Sequence, residues 1–129
     1  MKKITEDWLK SAYSDLEICR QILNQENLSP QVAFHAQQTV EKSFKAIIEE
    51  YDLGFVKTHT LNTLLGKIES KIQFKVDSDM LLLLDQLYID SRYPGELGLL
   101  PDGYPSLEQT KNFYDFASNI FKTVSLFLK

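Results

Sequence analysis

Residues 29–51, SPQVAFHAQQTVEKSFKAIIEEY, set the fold class of this chain. Ser29 followed by Pro30 offers an N-cap and a first-turn proline, whose missing N–H costs nothing at that position. Apolar residues then recur at steps of three or four, as one buried face of a helix requires: Ala33, Ala36, Val40, Phe44, Ile47 and Tyr51. The pattern predicts a long amphipathic helix that ends near Asp52, before Gly54.

Four further helices are predicted around this one. The first runs from about Thr5, which can cap it, to Glu26, and a short helix follows Thr60. A helix opened by Asp77 or Ser78 contains the run LLLL at 81–84 and is apolar nearly all round, so we expect it in the middle of the packing. Ser106 and Gln109 form a capping box for the last helix.

The chain therefore reads as a single all-α domain, an up-and-down bundle of about five helices. Its 129 residues suit one domain, and sustained period-two alternation, the signature of strands, is absent from the sequence. Between residues 92 and 105 the prolines and glycines predict a long loop of turns. Loops of this length in compact domains often carry function.

Charge and composition limit the functions that this chain can have. A net charge of −4 and a pI of about 5.1 argue against a broad electrostatic grip on nucleic acid. No apolar run approaches the roughly 18–20 residues of a membrane span, and the first eight residues lack the apolar stretch of a secretory signal. With one cysteine, Cys19, no internal disulfide can form. We expect a cytoplasmic protein with no membrane contact.

Helix two also carries a candidate ligand-binding face. At about 100° per residue its polar side chains fall opposite the apolar stripe: His35, Gln38, Lys42, Lys45 and Glu49. Two cations, an imidazole and an amide in this arrangement would suit a phosphate or a nucleobase. The plainer interpretation is a solvated face, on which Glu41 and Lys45 form an ordinary surface pair. The carboxylates of helix one, Asp15 among them, equally suit a solvated acidic flank.

Three more residues are candidate ligand-binding groups. His59, just ahead of the short helix, can cap its free N–H groups or meet an anion. Arg92 can present its guanidinium to a phosphate or satisfy the last carbonyls of a helix, and Tyr93 can stack a base or anchor the loop. His35 and His59 share no helix-face spacing and have no cysteine near them, so we predict no metal site and no cofactor.

Four segments together resemble the HEPN family, named for its presence in higher eukaryotes and prokaryotes. The resemblance extends along nearly the whole chain and rests on these four places: Asp7-Trp8-Leu9 with Ala12, Asp15 and Leu16; AFHAQQTVEK at 33–42 with Lys45-Ala46; Thr58-His59-Thr60-Leu61 with Leu64-Leu65; and Tyr88 with Arg92-Tyr93-Pro94. The resemblance implies a helical bundle that is commonly a homodimer. It also implies a minimal nucleotidyltransferase partner, often encoded beside such a protein.

Catalytic members of that family cleave RNA with an arginine followed four to six residues later by a histidine. Here that window holds Glu96, Leu97 and Gly98 after Arg92, and Asn24, Gln25 and Glu26 after Arg20. We therefore expect a non-catalytic module that binds a nucleotide or a partner, in a toxin-antitoxin-like or related system.

Two alternatives to that expectation remain open. One is a metal-independent ribonuclease, a toxin, in which His35 or His59 approaches Arg92 in space. The other is an antitoxin or structural subunit that binds no ligand.

Overall fold

The computed structural model describes residues 1–91 and 103–129. Within those ranges the chain forms five α-helices and no strand: α1 (Lys3–Ile22), α2 (Ser29–Glu50), α3 (Leu61–Ile68), α4 (Ser78–Ser91) and α5 (Leu107–Phe127), with a 3₁₀ turn at Glu26–Leu28. The predicted all-α bundle of five helices is confirmed. Arg92, Tyr93 and most of the predicted loop lie outside the described residues.

The centre of the bundle is α2, which packs against each of the other four helices. Its apolar stripe is buried as predicted, with Val40, Phe44 and Ile47 fully enclosed. The prediction that the leucine-rich helix would occupy the middle is wrong. That helix, α4, packs mainly on α2 and α3 and buries Leu81 and Leu84, whereas Leu82 remains 57% exposed.

Two of the predicted helix caps are wrong. Lys2, not Thr5, occupies the N-cap of α1; Thr5 is buried within the helix and donates its hydroxyl hydrogen to Glu50 Oε1 at 2.9 Å. Ser29 already belongs to α2, whose N-cap is Leu28. The Ser29 hydroxyl is buried and has no hydrogen-bond partner among the described residues. Both side chains serve tertiary packing, which the local pattern does not report.

Other predicted helix starts are confirmed. The backbone N–H groups of Asp79 and Met80 donate to Asp77 Oδ1 ahead of α4. Ser106 and Gln109 form both reciprocal bonds of the capping box. Thr60 occupies the N-cap of α3 without a side-chain bond. These caps fix where the chain enters each helix.

The turn after α2 returns the chain along the same helix. Asp52 adopts a left-handed conformation with φ of 52°, and the N–H of Leu53 donates to the carbonyl of Ile48 at 2.9 Å. This bond, with that from the Asp52 N–H to Glu49, is the Schellman pattern of a helix end. Gly54 follows with φ of 106°, a conformation that favours glycine. Residues 55–60 therefore run back beside α2.

The described helices include none that is both long enough and apolar enough to cross a bilayer.

Candidate functional site

The polar side of α2 is covered by neighbouring chain segments. Asp15 of α1 is buried between two residues of α2, with Oδ1 at 2.7 Å from His35 Nδ1 and Oδ2 at 2.7 Å from Lys42 Nζ. A carboxylate only accepts hydrogen bonds, so Nδ1 of His35 carries the proton. The interpretation of Asp15 as part of a solvated acidic flank is therefore wrong.

Glu41 is the centre of a second buried polar cluster. Its Oε2 lies 3.0 Å from Lys45 Nζ, and its Oε1 lies 3.0 Å from His59 Nδ1. The side chain of Glu41 is only 4% exposed and that of Lys45 17%. The interpretation of these two residues as an ordinary surface pair is therefore wrong. Gln38 joins the same cluster, with Nε2 at 2.8 Å from Gln37 Oε1.

Gln37 ties this cluster to α3 and α4. The Gln37 side chain is fully buried, and its Nε2 donates to the carbonyl of His59 and to Asp85 Oδ1, each at 3.1 Å. The other oxygen of Asp85 accepts from the N–H of Leu61 at 2.9 Å and so caps α3. Burial raises the pKa of Asp85, and the two hydrogen bonds oppose that shift only in part.

Sequence reasoning missed both Gln37 and Asp85. Gln37 lies four residues after Ala33 and three before Val40, both within the apolar stripe of α2. A polar residue at a stripe position was the available signal, because such a residue is buried only with hydrogen-bond partners. Asp85 offered no comparable signal, since acidic residues on the outer side of a helix are common.

His59 does not cap α3. Glu41 holds its Nδ1, the side chain is 58% exposed, and Nε2 has no partner among the described residues. Because the carboxylate fixes the proton on Nδ1, the outer nitrogen of the neutral ring is an acceptor, and it becomes a donor when the ring is protonated. The buried carboxylate thus orients an imidazole toward the surface.

Two clefts flank His59. The larger, about 480 Å³, has Trp8, Lys45, Glu49, Phe55 and Lys57 in its wall beside His59. The smaller, about 320 Å³, is lined by Lys57, Thr58, His59, Thr60, Asp85 and Tyr88, among others. Small-molecule sites occupy roughly 300–1,000 Å³, so both clefts are of suitable size. His59 and Lys57 belong to both walls and form the ridge between them.

The cations near this ridge differ in how they are paired. The ammonium groups of Lys42 and Lys45 each bind a buried carboxylate, so their charge is largely neutralised. Lys57 is exposed and forms no ion pair with any residue in the described ranges; its Nζ lies 6.0 Å from the Phe55 ring centroid. Among the described cations near this ridge, Lys57, which sequence reasoning did not select, is thus the most available to an anionic ligand.

Aromatic rings connect the two polar clusters. Phe34 makes an edge contact with His35 at 5.1 Å and stacks on Tyr88 at 5.0 Å between centroids. Tyr88 in turn lies 6.2 Å from His59. Of the predicted ligand residues, His35, Gln38, Lys42, Lys45 and His59 all lie on or beside this one side of α2. Arg92 and Tyr93 fall outside the described residues.

Comparison with known proteins places the chain in a family. The model of the HEPN domain matches residues 5–127. The chain belongs to the HEPN domain family. Among solved structures, TT1696 from Thermus thermophilus matches this HEPN domain with a TM-score of 0.73 over 98% of this chain and 99% of the other. At 20% identity, that likeness shows the fold alone. A search of curated proteins gave no match.

The side chains around His59 can provide hydrogen bonds and positive charge to an anion. When protonated, the carboxylate-held imidazole of His59 can donate from Nε2 to a phosphate oxygen, and the neighbouring ammonium of Lys57 supplies positive charge. Within the described residues no three His, Cys, Asp or Glu side chains come together as a metal site would require. The arginine of a family-type cleavage motif would also need a histidine four to six residues later, and the sequence has none there.

Proposed function

We propose that this HEPN domain is a non-catalytic module that binds a nucleotide in the clefts beside His59. One observation carries the proposal: an exposed imidazole, fixed by a buried carboxylate, shares the walls of two clefts with Lys57, whose ammonium forms no ion pair within residues 1–91 and 103–129, and both clefts have aromatic residues in their walls. A protonated imidazole and an ammonium suit a phosphate, and aromatic rings suit a base. His35, Gln38, Lys42 and Lys45 then support the site from α2, and Arg92 and Tyr93 remain predicted ligand residues.

Calorimetry on the full chain tests this proposal. Titration with each of the four ribonucleoside triphosphates should give saturable heat with at least one. Lys57→Gln, which removes the charge and keeps most of the side chain, should weaken binding at least tenfold, as should His59→Ala. Lys111→Gln, at an exposed position of α5, is the matched control and should bind like the wild type. No heat with any triphosphate from folded protein would refute the proposal.

A ribonuclease is the second candidate, because the Glu41–His59 pair holds an imidazole with one nitrogen open. Such a pair is the usual arrangement of a general base and its orienting carboxylate. Incubation of the purified chain with end-labelled RNA and chelator decides between the two. Cleavage that His59→Ala abolishes and His35→Ala retains would favour the enzyme, since the His35 side chain is only 21% exposed. Intact RNA supports the non-catalytic module.

The proposal extends to partners. A homodimer, which the family resemblance implies, is supported by the apolar side chains that α4 leaves exposed, Leu82 at 57% and Ile89 at 51%. Light scattering should give twice the mass of one chain if the dimer forms. A minimal nucleotidyltransferase as second partner, within a toxin-antitoxin-like or related system, follows from the same resemblance. Co-expression with a nucleotidyltransferase encoded beside this gene tests that part.

A further inference from the structure

We infer that the two clefts bind two consecutive nucleotides of a single strand, with the linking phosphate over Lys57 and His59 and one base in each cleft. The inference rests on the proposed nucleotide-binding function and narrows its ligand class. It follows from the order of charges and rings along the surface: the ridge of Lys57 and His59 lies between two clefts, and each cleft has an aromatic ring in its wall.

The ridge is the only part of this surface suited to a phosphate, as far as the described residues go. Lys57 Nζ has no carboxylate partner there, and Nε2 of the exposed His59 ring can donate to a phosphate oxygen when the ring is protonated. Both residues line both clefts. A phosphate that contacts them therefore lies between the clefts, and groups attached to its two ester oxygens extend into one cleft each.

The smaller cleft is unsuited to a second phosphate. The Asp85 carboxylate lies in its wall, and a phosphate beside it would meet like charge. A carboxylate instead accepts from the amino or imino N–H groups of a base edge. Tyr88 adds a ring to the same wall, and the hydroxyls of Thr58 and Thr60 add further hydrogen-bonding groups. This cleft therefore favours a base that presents N–H donors.

The larger cleft is likewise suited to a base. Phe55 is 84% exposed, an unusual position for a phenylalanine, and shares the wall with the partly buried Trp8. Such rings stack bases of any sequence, because every base has a π-face. Glu49 lies in the same wall, and the Lys45 charge there is paired with Glu41. The local charge therefore does not favour a second phosphate in this cleft.

A ligand series tests the inference. The series comprises a ribonucleoside monophosphate, the dinucleoside monophosphate ApA, its uncharged methylphosphonate analogue, and six-nucleotide RNA and DNA strands. ApA should bind at least tenfold more tightly than AMP, and the methylphosphonate should lose most of that gain. A hexamer that binds no more tightly than ApA indicates a free dinucleotide as the source, and one that binds more tightly indicates a longer strand.

Three variants locate the bases. Phe55→Ala and Tyr88→Leu should each reduce ApA binding to the level of AMP. Tyr13→Ala removes a ring that is 51% exposed from α1, on the side that contacts Phe121, and should leave ApA binding unchanged. Circular dichroism of Tyr88→Leu checks the fold, because Tyr88 stacks on Phe34. The Phe55 variant provides the same test at an exposed position.

The two proposals fail in different ways. If AMP binds and ApA binds no better, or if the methylphosphonate equals ApA, the dinucleotide inference is overturned and nucleotide binding stands. If neither mononucleotides nor dinucleotides bind, the nucleotide-binding function itself is overturned.

Discussion

Replacement of Glu41 by glutamine should destabilise the protein by about 2 kcal/mol. The substitution keeps the volume and removes the charge that two groups share, Lys45 Nζ and His59 Nδ1, each at 3.0 Å. A glutamine amide has one donor end, which must then face either the ammonium or the imidazole N–H. One hydrogen bond is therefore replaced by two donors facing each other.

The expected loss of stability follows from how deeply Glu41 and its two partners are buried. Loss of one partner from a fully buried ion pair costs roughly 3–5 kcal/mol, because the remaining charge is left without compensation. Here Glu41 is 4% exposed, while Lys45 is 17% and His59 58% exposed, so the ammonium and the imidazole can both regain part of their hydration. That recovery reduces the expected cost to about 2 kcal/mol. For a chain of this length, the melting temperature should fall by roughly 6–10 °C.

Urea denaturation followed by circular dichroism at pH 7 measures the effect. Glu17→Gln is the matched control, because Glu17 and Arg20 form an ion pair along one helix that is mostly solvent-exposed. That variant should unfold at the wild-type midpoint. The double variant Glu41→Gln/Lys45→Met should recover part of the loss, since it removes the uncompensated ammonium. Equal midpoints for Glu41→Gln and Glu17→Gln would refute the role of Glu41 as a buried centre.

Three further predictions concern other sites. Cys19 should resist iodoacetamide at pH 8 in the folded protein and react in denaturant, because burial raises its pKa to about 12. Mass spectrometry measures the alkylation, and rapid alkylation of the folded protein would contradict the prediction. The pKa of Asp85 is raised by burial, so the folded state holds that proton more tightly than the unfolded state. The free energy of unfolding of the wild type should therefore decline relative to that of Asp85→Asn as the pH rises above 3.8 through the folded-state pKa. Urea denaturation at a series of pH values measures this difference, and a difference that does not change with pH would contradict the prediction. Ser106→Ala should cost about 1 kcal/mol of unfolding free energy in urea denaturation through loss of the α5 cap, and a wild-type midpoint would contradict that role.

The helices were predictable because their signals are local. The three-to-four-residue spacing of Val40, Phe44 and Ile47 reports which face of α2 gains by leaving water, and the structure buries those residues. The Ser106 capping box is equally local, since both of its bonds lie within one turn. Such features need no knowledge of the rest of the chain.

The position of α2 at the centre was not predictable from the same pattern. Thr39 and Glu41 lie outside the apolar stripe of α2, yet both are buried with partners. Burial of a polar group depends on the hydrogen bonds that other segments supply, which are long-range. The exposure of an apolar residue likewise depends on which other segments pack against it. The apolar run of α4 therefore suggested a central helix, although Leu82 faces outward.

The candidate site was predictable only in part. His59 and the polar side of α2 were selected from residue type and spacing. Lys57 lies between helices, where there is no helical periodicity to indicate its position. Its availability to a ligand is evident only when Lys42 and Lys45 are seen to pair with carboxylates. That pairing follows from the packing of α1 and residues 55–60 on α2, so sequence spacing alone did not reveal it.

The two buried carboxylates have a consequence for how α2 can rotate within the bundle. His35 and Lys42, two helical turns apart, both reach Asp15, while Glu41 reaches His59 on a different segment. Rotation of α2 by one residue, about 100°, would separate all of these pairs at once. An interface made only of alanine and valine would tolerate such a slip, because apolar contacts are not directional. These polar pairs can form in only one rotational register of α2. The contacts that align the helices therefore also set the orientation of His59.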